Sequence, residues 1–199
     1  MNRALTISVT ALALGAALAG CNKSNTSGLP MNTPTSESNS AVDSGSGSAP
    51  RVPAPLNTAS LLSDACTGLS SSAVSQLQLK TGYTKTNNSG PTCAWDSSVS
   101  QFDTVSISPI TSSKTGLSNI YDRKDKQEYF EPTSIGGYPA VFADPVDRRK
   151  DGRCSLHVAV TDELEVLVFT QLSKSKAATN PCPVAEDVAT AMIDTLKAG

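Results

Sequence analysis

Residues 154–172, CSLHVAVTDELEVLVFTQL, decide the predicted fold. From Cys154 to Val160, apolar residues recur at every second position, which is typical of a β-strand. Thr161-Asp162-Glu163 can turn the chain. Leu164 to Leu172 is apolar on both faces, as expected of a strand at the centre of a sheet. The stretch therefore predicts a β-hairpin whose second strand is central.

Outward from the hairpin, further elements are predicted on both sides. Tyr138 to Ala143 has the composition of another strand. Beyond the hairpin, a helix is expected to begin at Pro183 and to end near Lys197. One face of that helix is expected to carry Val184, Val188, Ala191, Met192 and Thr195.

The N-terminal part of the predicted domain begins with two short helices. Asn57 can cap a helix that runs toward Cys66, and Ser70 can cap a second helix carrying Ala73, Val74 and Leu77. Cys93-Ala94-Trp95 then starts a strand region. Alternation from Val99 to Ser108, closed by Pro109, predicts the next strand.

The segment after Pro109 is predicted to be helical, carrying Leu117, Ile120 and Tyr121 and continuing into the charged residues 122–131. Helices at both ends with strands between them predict an α+β domain. In such a domain the N- and C-terminal helices pack against an antiparallel sheet.

The first twenty residues have the composition of a secretory signal peptide. Arg3 is their only charge, and the uncharged run from Ala4 to Ala19 is short for a membrane span. The run ends in Leu18-Ala19-Gly20-Cys21, which resembles the lipobox of bacterial lipoproteins. This resemblance implies cleavage before Cys21 and lipidation of its thiol. We therefore expect residues 1–20 to be removed, and Cys21 to anchor the protein at the extracytoplasmic face of the cell membrane.

Residues 22–55 are rich in Ser, Thr, Asn, Gly and Pro and contain no aromatic residue. Such a segment cannot bury enough apolar surface to fold, so residues 21–55 are predicted to be the lipidated cysteine and a disordered tether. The composition would also suit O-glycans. The globular domain is then expected to span residues 56–199.

Four cysteines remain after Cys21, namely Cys66, Cys93, Cys154 and Cys182. An even number of cysteines in an exported domain favours disulfides, and four cysteines allow three pairings. No pair has the CxxC spacing of a zinc site. The net charge of −2 lacks the basic excess of nucleic-acid-binding proteins, so no nucleic-acid partner is expected.

His157 is the sole histidine and the natural candidate for a general base. It could act in a cleft beside a carboxylate, but we interpret it as a polar residue on the solvent face or under a helix. The chain has no GxSxG, HExxH, GxxxxGK or GxGxxG motif. We therefore expect no enzymatic activity and no cofactor.

Three other groups of residues have both a functional and a structural interpretation. Acids recurring every third residue from 122 to 131 could bind a metal, but interleaved cations favour a solvated helix face. A basic cluster in residues 148–153 could contact anionic headgroups or a polyanionic wall component, although an exposed charged turn is preferred. Trp95 could stack on a sugar or lipid, but core packing is preferred. The acids are Asp122, Asp125, Glu128 and Glu131, and the basic cluster consists of Arg148, Arg149, Lys150 and Arg153. A groove could also be lined by the aromatic residues Tyr121, Tyr129, Phe130 and Tyr138.

The order of these motifs resembles the domain-of-unknown-function 3558 family of actinobacterial lipoproteins. The lipobox and tether are followed by a helix with Cys66, by Cys93-x-Trp95, by Gly137-x-Pro139-Ala140-Val141, by Cys154-x-Leu156-x-Val158-x-Val160 and by Pro181-Cys182. The resemblance, together with closeness in sequence, favours the pairs Cys66–Cys93 and Cys154–Cys182. It provides no catalytic residues.

Three functions follow as hypotheses. The first is a lipid-anchored, non-catalytic binding or accessory module of the cell envelope, whose partner is an envelope lipid, glycan or protein. The second is an envelope hydrolase or transferase with a site around His157. The third is a purely structural or protein-interaction lipoprotein, which predicts an exposed apolar patch.

Overall fold

A computed structural model describes residues 48–87 and 90–199. Cys21, the signal peptide and most of the predicted tether lie outside these residues. The described chain forms one seven-stranded sheet, in which every neighbouring pair is antiparallel, with the order β1-β2-β3-β7-β6-β5-β4. The strands are β1 (Tyr83–Asn87), β2 (Gly90–Asp96), β3 (Thr104–Pro109), β4 (Tyr129–Ile135), β5 (Tyr138–Asp144), β6 (Arg153–Ala159) and β7 (Glu165–Gln171).

The predicted hairpin is confirmed as β6 and β7. His157 lies opposite Leu167, and β7 pairs with β3 on its other side, so β7 is the central strand of the sheet. Val166 and Val168 are fully buried, as the run of apolar residues predicted. The sheet therefore consists of two antiparallel meanders that meet where β3 pairs with β7.

In the described part of the chain, four α-helices accompany the sheet, namely α1 (Ala59–Ser63), α2 (Ser71–Gln76), α3 (Ser118–Tyr121) and α4 (Cys182–Ala198). The Ser70 cap is confirmed, since Oγ of Ser70 accepts the N–H of Ala73 at 3.2 Å. The Asn57 cap is wrong by one residue: Thr58 is the N-cap of α1, although Oδ1 of Asn57 accepts the N–H of Ala59 at 3.2 Å. Asn57 and Ser70 thus satisfy N–H groups that begin these helices. None of the described helices has both the length and the apolar character needed to cross a membrane.

The main core lies between the helices and one face of the sheet. The long helix α4 contacts β6 and β7, and the 3-10 helix Ala65–Gly68 contacts β2 and β3. Trp95, Ile107, Leu156 and Met192 are among its largest buried side chains. The buried face of α4 comprises Ala185, Val188, Ala189, Met192, Ile193 and Leu196, which shares only Val188 and Met192 with the predicted face.

A second, smaller core covers part of the other face of the sheet. Leu117 and Ile120 of the α3 region pack there on Val141 and Ala159. Val52 also contacts this cluster, and its N–H donates to Asp162. The described end of the predicted tether, residues 48–55, therefore makes contacts that the sequence did not predict.

Two predicted elements are wrong. The strand expected from Val99 begins only at Thr104, because residues 97–103 form the loop between β2 and β3. The helix expected to continue through residues 122–131 ends at Tyr121, and Tyr129 already begins β4. The charged residues between them form a turn containing the short 3-10 helix Lys124–Lys126.

Candidate functional site

A pocket of about 240 Å³ lies at one end of the sheet. Because neighbouring strands are antiparallel, β4 and β6 begin at this end while β5 and β7 finish there. Four strands and the turn of residues 145–152 therefore bring side chains together. The lining residues are Tyr129, Asp144, Val146, Arg148, Arg153 and Phe169. Ligand pockets typically start at about 300 Å³, so this one suits a small molecule or a single chemical group.

The arginines of the predicted basic cluster differ in their pairing. Arg149 is held by Glu131 at 2.8 Å and by Asp147 at 2.7 Å, and it stacks over the ring of Tyr129 at 4.2 Å. Within the described chain, the guanidinium groups of Arg148 and Arg153 have no hydrogen-bond or ion-pair partner. The two unpaired arginines of the cluster are therefore the two that line the pocket.

In the described part of the chain, the nearby acids Asp144 and Asp147 form no ion pair with Arg148 or Arg153. Hydrogen bonds from the side chain and backbone of Arg149 lower the pKa of Asp147 to about 2, and the bond to Asp147 raises the pKa of Arg149. Asp144 accepts the Oγ–H of Ser155 at 2.7 Å and the N–H of Val146 at 3.0 Å. Both carboxylates therefore already have donors of their own.

Tyr129 adds a hydroxyl group to the pocket. Its side chain is buried, and its oxygen accepts the N–H of Ser155 at 3.3 Å. Burial raises the pKa of Tyr129, although the hydrogen bond from Ser155 acts in the opposite direction. The phenol is therefore protonated at neutral pH and can donate to an anion.

His157 lies two residues beyond Ser155, on the same face of β6. Its Nδ1 is 3.3 Å from Oε2 of Glu165, and the side chains of the two residues are only 13% and 2% exposed. Placement of His157 on the solvent face is therefore wrong. Glu165 was not predicted as a site residue; its signal was a carboxylate at the start of the mostly apolar central strand.

The predicted row of acids does not form one face. Glu131 is on the edge strand β4 and binds Arg149, and Glu128 accepts the N–H of Asp147. Asp122 and Asp125 lie in the turn before β4. In residues 48–87 and 90–199, no group of three or more His, Cys, Asp and Glu side chains is arranged to hold a metal ion.

The aromatic residues are also dispersed. Trp95 is 1% exposed and lies in the main core, which confirms the packing interpretation. Tyr121 and Phe130 form an edge-to-face pair with ring centroids 4.9 Å apart. Tyr138 is buried in the main core. Only Tyr129 of the four proposed groove residues lines the pocket.

Among the described residues, two disulfides link helical segments to the sheet. Cys66 beside α1 is bonded to Cys93 on β2, and Cys154 on β6 is bonded to Cys182 at the start of α4. These are the pairs that the family resemblance favoured. Cys21, the predicted lipidation site, lies outside the described residues.

Comparison with known proteins gives one match. Residues 16–195 match the model of a family described as "Protein of unknown function (DUF3558)". No curated protein and no solved structure matches the chain. The matched range includes Leu18–Cys21, both disulfides and all seven strands. Since the family model covers most of the sequence, the protein belongs to the DUF3558 family.

Proposed function

We propose that this protein is a lipid-anchored, extracytoplasmic and non-catalytic binding module of the bacterial envelope, whose pocket takes a small anionic group. One observation carries the proposal: Arg148 and Arg153 line the pocket without an acidic partner, whereas the neighbouring Arg149 is fully paired. Arg148 is exposed and Arg153 is half-buried, so both guanidinium groups are accessible to a ligand. A bound anion would give them the charged hydrogen-bond acceptor that they otherwise lack.

The chemistry of the lining narrows the ligand. Two guanidinium groups and the Tyr129 hydroxyl suit a carboxylate or a phosphate, which accept several hydrogen bonds. Phe169 and Val146 add apolar surface beside them. An envelope lipid, glycan or protein that presents such a group next to a small apolar part fits these residues.

The location rests on separate support. The family match begins at residue 16 and thus includes the lipobox-like Leu18–Cys21. Two disulfides suit an oxidising, extracytoplasmic compartment. A diacyl anchor on Cys21 would hold firmly, since each buried methylene contributes about 0.8 kcal/mol.

Ligand binding is tested with phenyl phosphate and benzoate as probes. Both are titrated into the full chain while the backbone amide signals of Ser155 and Phe169 are followed by NMR. Arg148→Gln and Arg153→Gln should each weaken binding by about tenfold or more, because each removes a charge-assisted hydrogen bond. Lys150→Gln is the matched control, since it removes one charge from the same turn without lining the pocket. No saturable shift with either probe, or equal losses in all three variants, contradicts the proposal.

The anchor is tested separately with Cys21→Ala. This variant should leave the membrane fraction or accumulate as an unprocessed precursor, whereas Cys66→Ala should remain membrane-bound. A fully processed Cys21→Ala protein that stays on membranes would show that lipid on this residue is not the anchor.

The His157–Glu165 pair favours a second candidate function, a hydrolase or transferase. A carboxylate that orients a histidine is a common arrangement for general-base catalysis. The test is turnover of p-nitrophenyl acetate and p-nitrophenyl phosphate by the purified full chain. This candidate requires turnover that His157→Asn abolishes, and it fails if turnover is absent or unchanged in that variant.

A further inference from the structure

The loop of residues 97–103, between β2 and β3, exposes two large apolar side chains. Val99 is 69% exposed and Phe102 is 66% exposed, the highest values among the large apolar residues that the structure describes. Single exposed apolar residues are common on protein surfaces. Two within four residues of one loop are a small apolar patch, and such patches mark contact sites.

The backbone of this loop is held in place. Oγ of Ser97 accepts the N–H groups of Val99 and Ser100 at 3.2 and 3.0 Å. Oγ of Ser173 donates to the carbonyl of Phe102, and Asp103 accepts N–H groups from the segment after β7. The two apolar side chains therefore project from a fixed base.

Phe102 also adopts a costly conformation. Its φ is 70°, in the left-handed region that bulky residues rarely occupy. Glycine or asparagine would fit this position with less strain, and strained residues concentrate at functional sites. Within the described chain, Gln78 is the only other non-glycine residue with positive φ, and its carbonyl accepts the N–H of Ser98 from the same loop.

Two exposed lysines lie beside the loop, while the half-buried carboxylate of Asp96 at its start accepts the hydroxyl groups of Tyr83 and Thr104. Lys174 donates its N–H to Asp103, Lys80 donates its N–H to the carbonyl of Asp96 at the start of the loop, and both residues are exposed. The carboxylate of Asp103 is 3% exposed and is directed toward Ser173 rather than solvent. Apolar side chains flanked by lysines are the combination that anionic membrane surfaces attract.

The loop also lies at the same end of the sheet as the pocket. Thr104, the first residue of β3, is opposite Gln171, and Gln171 is opposite Arg153. Val146, a pocket residue at this end, is 46% exposed. One end of the sheet thus combines exposed apolar residues with unpaired cations.

We propose that the 97–103 loop docks on the anionic surface of a phospholipid bilayer, with Phe102 and Val99 entering the headgroup region and Lys80 and Lys174 contacting lipid phosphates. This inference rests on the proposed extracytoplasmic, membrane-anchored location. It gives the anchored domain a second contact and a defined orientation, in which the pocket end of the sheet faces the membrane.

The test places a fluorophore in the loop. In the full chain, Phe102→Trp adds an exposed indole, whereas Trp95 is buried and serves as an internal reference. Vesicles with brominated acyl chains are then added to the protein. They consist either of phosphatidylcholine alone or of equal parts phosphatidylcholine and phosphatidylglycerol. The mixed vesicles should shift the emission to the blue and quench the added indole. Leu62→Trp, at an exposed apolar position on α1, is the matched control and should not respond.

Two further variants separate docking from structure. Lys80→Gln/Lys174→Gln should raise the lipid concentration for half-maximal quenching of the indole by about 30-fold, at about fivefold per charge. Phe102→Asn should abolish protection of the loop amides by vesicles, without lowering the midpoint of urea unfolding, because asparagine tolerates positive φ. If neither type of vesicle quenches the fluorescence of the added indole, the proposal is overturned. A protein would then be the partner that contacts this loop. Quenching reports only on the loop. Its absence would therefore overturn membrane docking of the loop without contradicting lipidation of Cys21 or anion binding in the pocket.

Discussion

Oδ1 of Asp103 accepts the N–H of Ser173 at 2.6 Å, which joins the loop before β3 to the segment after β7. The same oxygen accepts the N–H of Lys174 at 3.0 Å, and Oδ2 accepts that of Ser175 at 3.2 Å. Burial alone would raise the pKa of Asp103, but the hydrogen bonds from Ser175, Ser173 and Lys174 outweigh it and hold the pKa well below its ordinary value. Ionised Asp103 therefore stabilises the fold.

Asp103→Asn should destabilise the protein by about 1.5–3 kcal/mol at neutral pH, because it removes charged hydrogen bonds from a buried site. A lowered folded-state pKa contributes stability that is fully present above the ordinary value of 3.8 and is lost as the pH falls toward the folded-state value. The variant should thus lose less stability than the parent as the pH drops below about 4. Urea unfolding across this range measures both effects, with exposed Asp151→Asn as the control. Identical acid slopes in Asp103→Asn and the parent would refute the assignment.

Glu165 should depend on His157 for its stability in the core. His157→Leu leaves a buried carboxylate without its partner, which we expect to cost about 3 kcal/mol. His157→Leu/Glu165→Leu removes both polar groups and should be less destabilising than the single variant. Urea unfolding of the single and double variants tests this order. A double variant that is less stable than His157→Leu would mean that the carboxylate is independently satisfied.

The two disulfides should contribute similarly to stability. They join residues 27 and 28 positions apart, and loops of this size correspond to about 3–4 kcal/mol in the chain-entropy model. Cys66→Ala/Cys93→Ala and Cys154→Ala/Cys182→Ala should each lower the unfolding free energy by about that amount. The unfolding free energy of the fully reduced parent protein is the reference for the loss of both disulfides. A pair whose removal leaves the urea midpoint unchanged would contradict the prediction.

Gly82 should be required for the packing of Trp95. A Cβ at Gly82 would lie 2.5 Å from Nε1 of Trp95 and 2.8 Å from Sγ of Cys93, so the indole would have to move. Gly82→Ala should cost about 1–3 kcal/mol and change the emission of the single tryptophan. Gly199→Ala, where the added carbon meets only one atom at 3.9 Å, is the control. Unchanged emission and stability in Gly82→Ala would show that the neighbours adjust freely.

The elements that the sequence predicted well are those with a strong apolar signal. The hairpin of β6 and β7, strand β5 and helix α4 all have buried faces that repeat at the period of their structure. The edge strands β1 and β4 were not predicted. β4 contains Pro132 and is buried only at its two ends, so its alternation is too weak to be detected.

The candidate site was predicted only in part. Its arginines were recognised in the sequence as a basic cluster. Which arginine forms ion pairs depends on the positions of Glu131 and Asp147, and only the structure shows these positions. His157 was recognised as the only candidate base, yet its carboxylate lies diagonally across a hairpin whose register decides the contact. Phe102 was placed within a strand because its positive φ leaves no trace in the pattern of apolar residues.

The pairing of the four domain cysteines has a consequence for how the chain acquires its covalent links. Each cysteine is bonded to the next one along the chain, so the two bridges are neither nested nor crossed. When the chain emerges N-terminus first, Cys66 meets Cys93 before Cys154 is available, and the last two cysteines then have only each other. Oxidation in order of emergence yields the native links directly, and reshuffling of wrongly paired cysteines is not required.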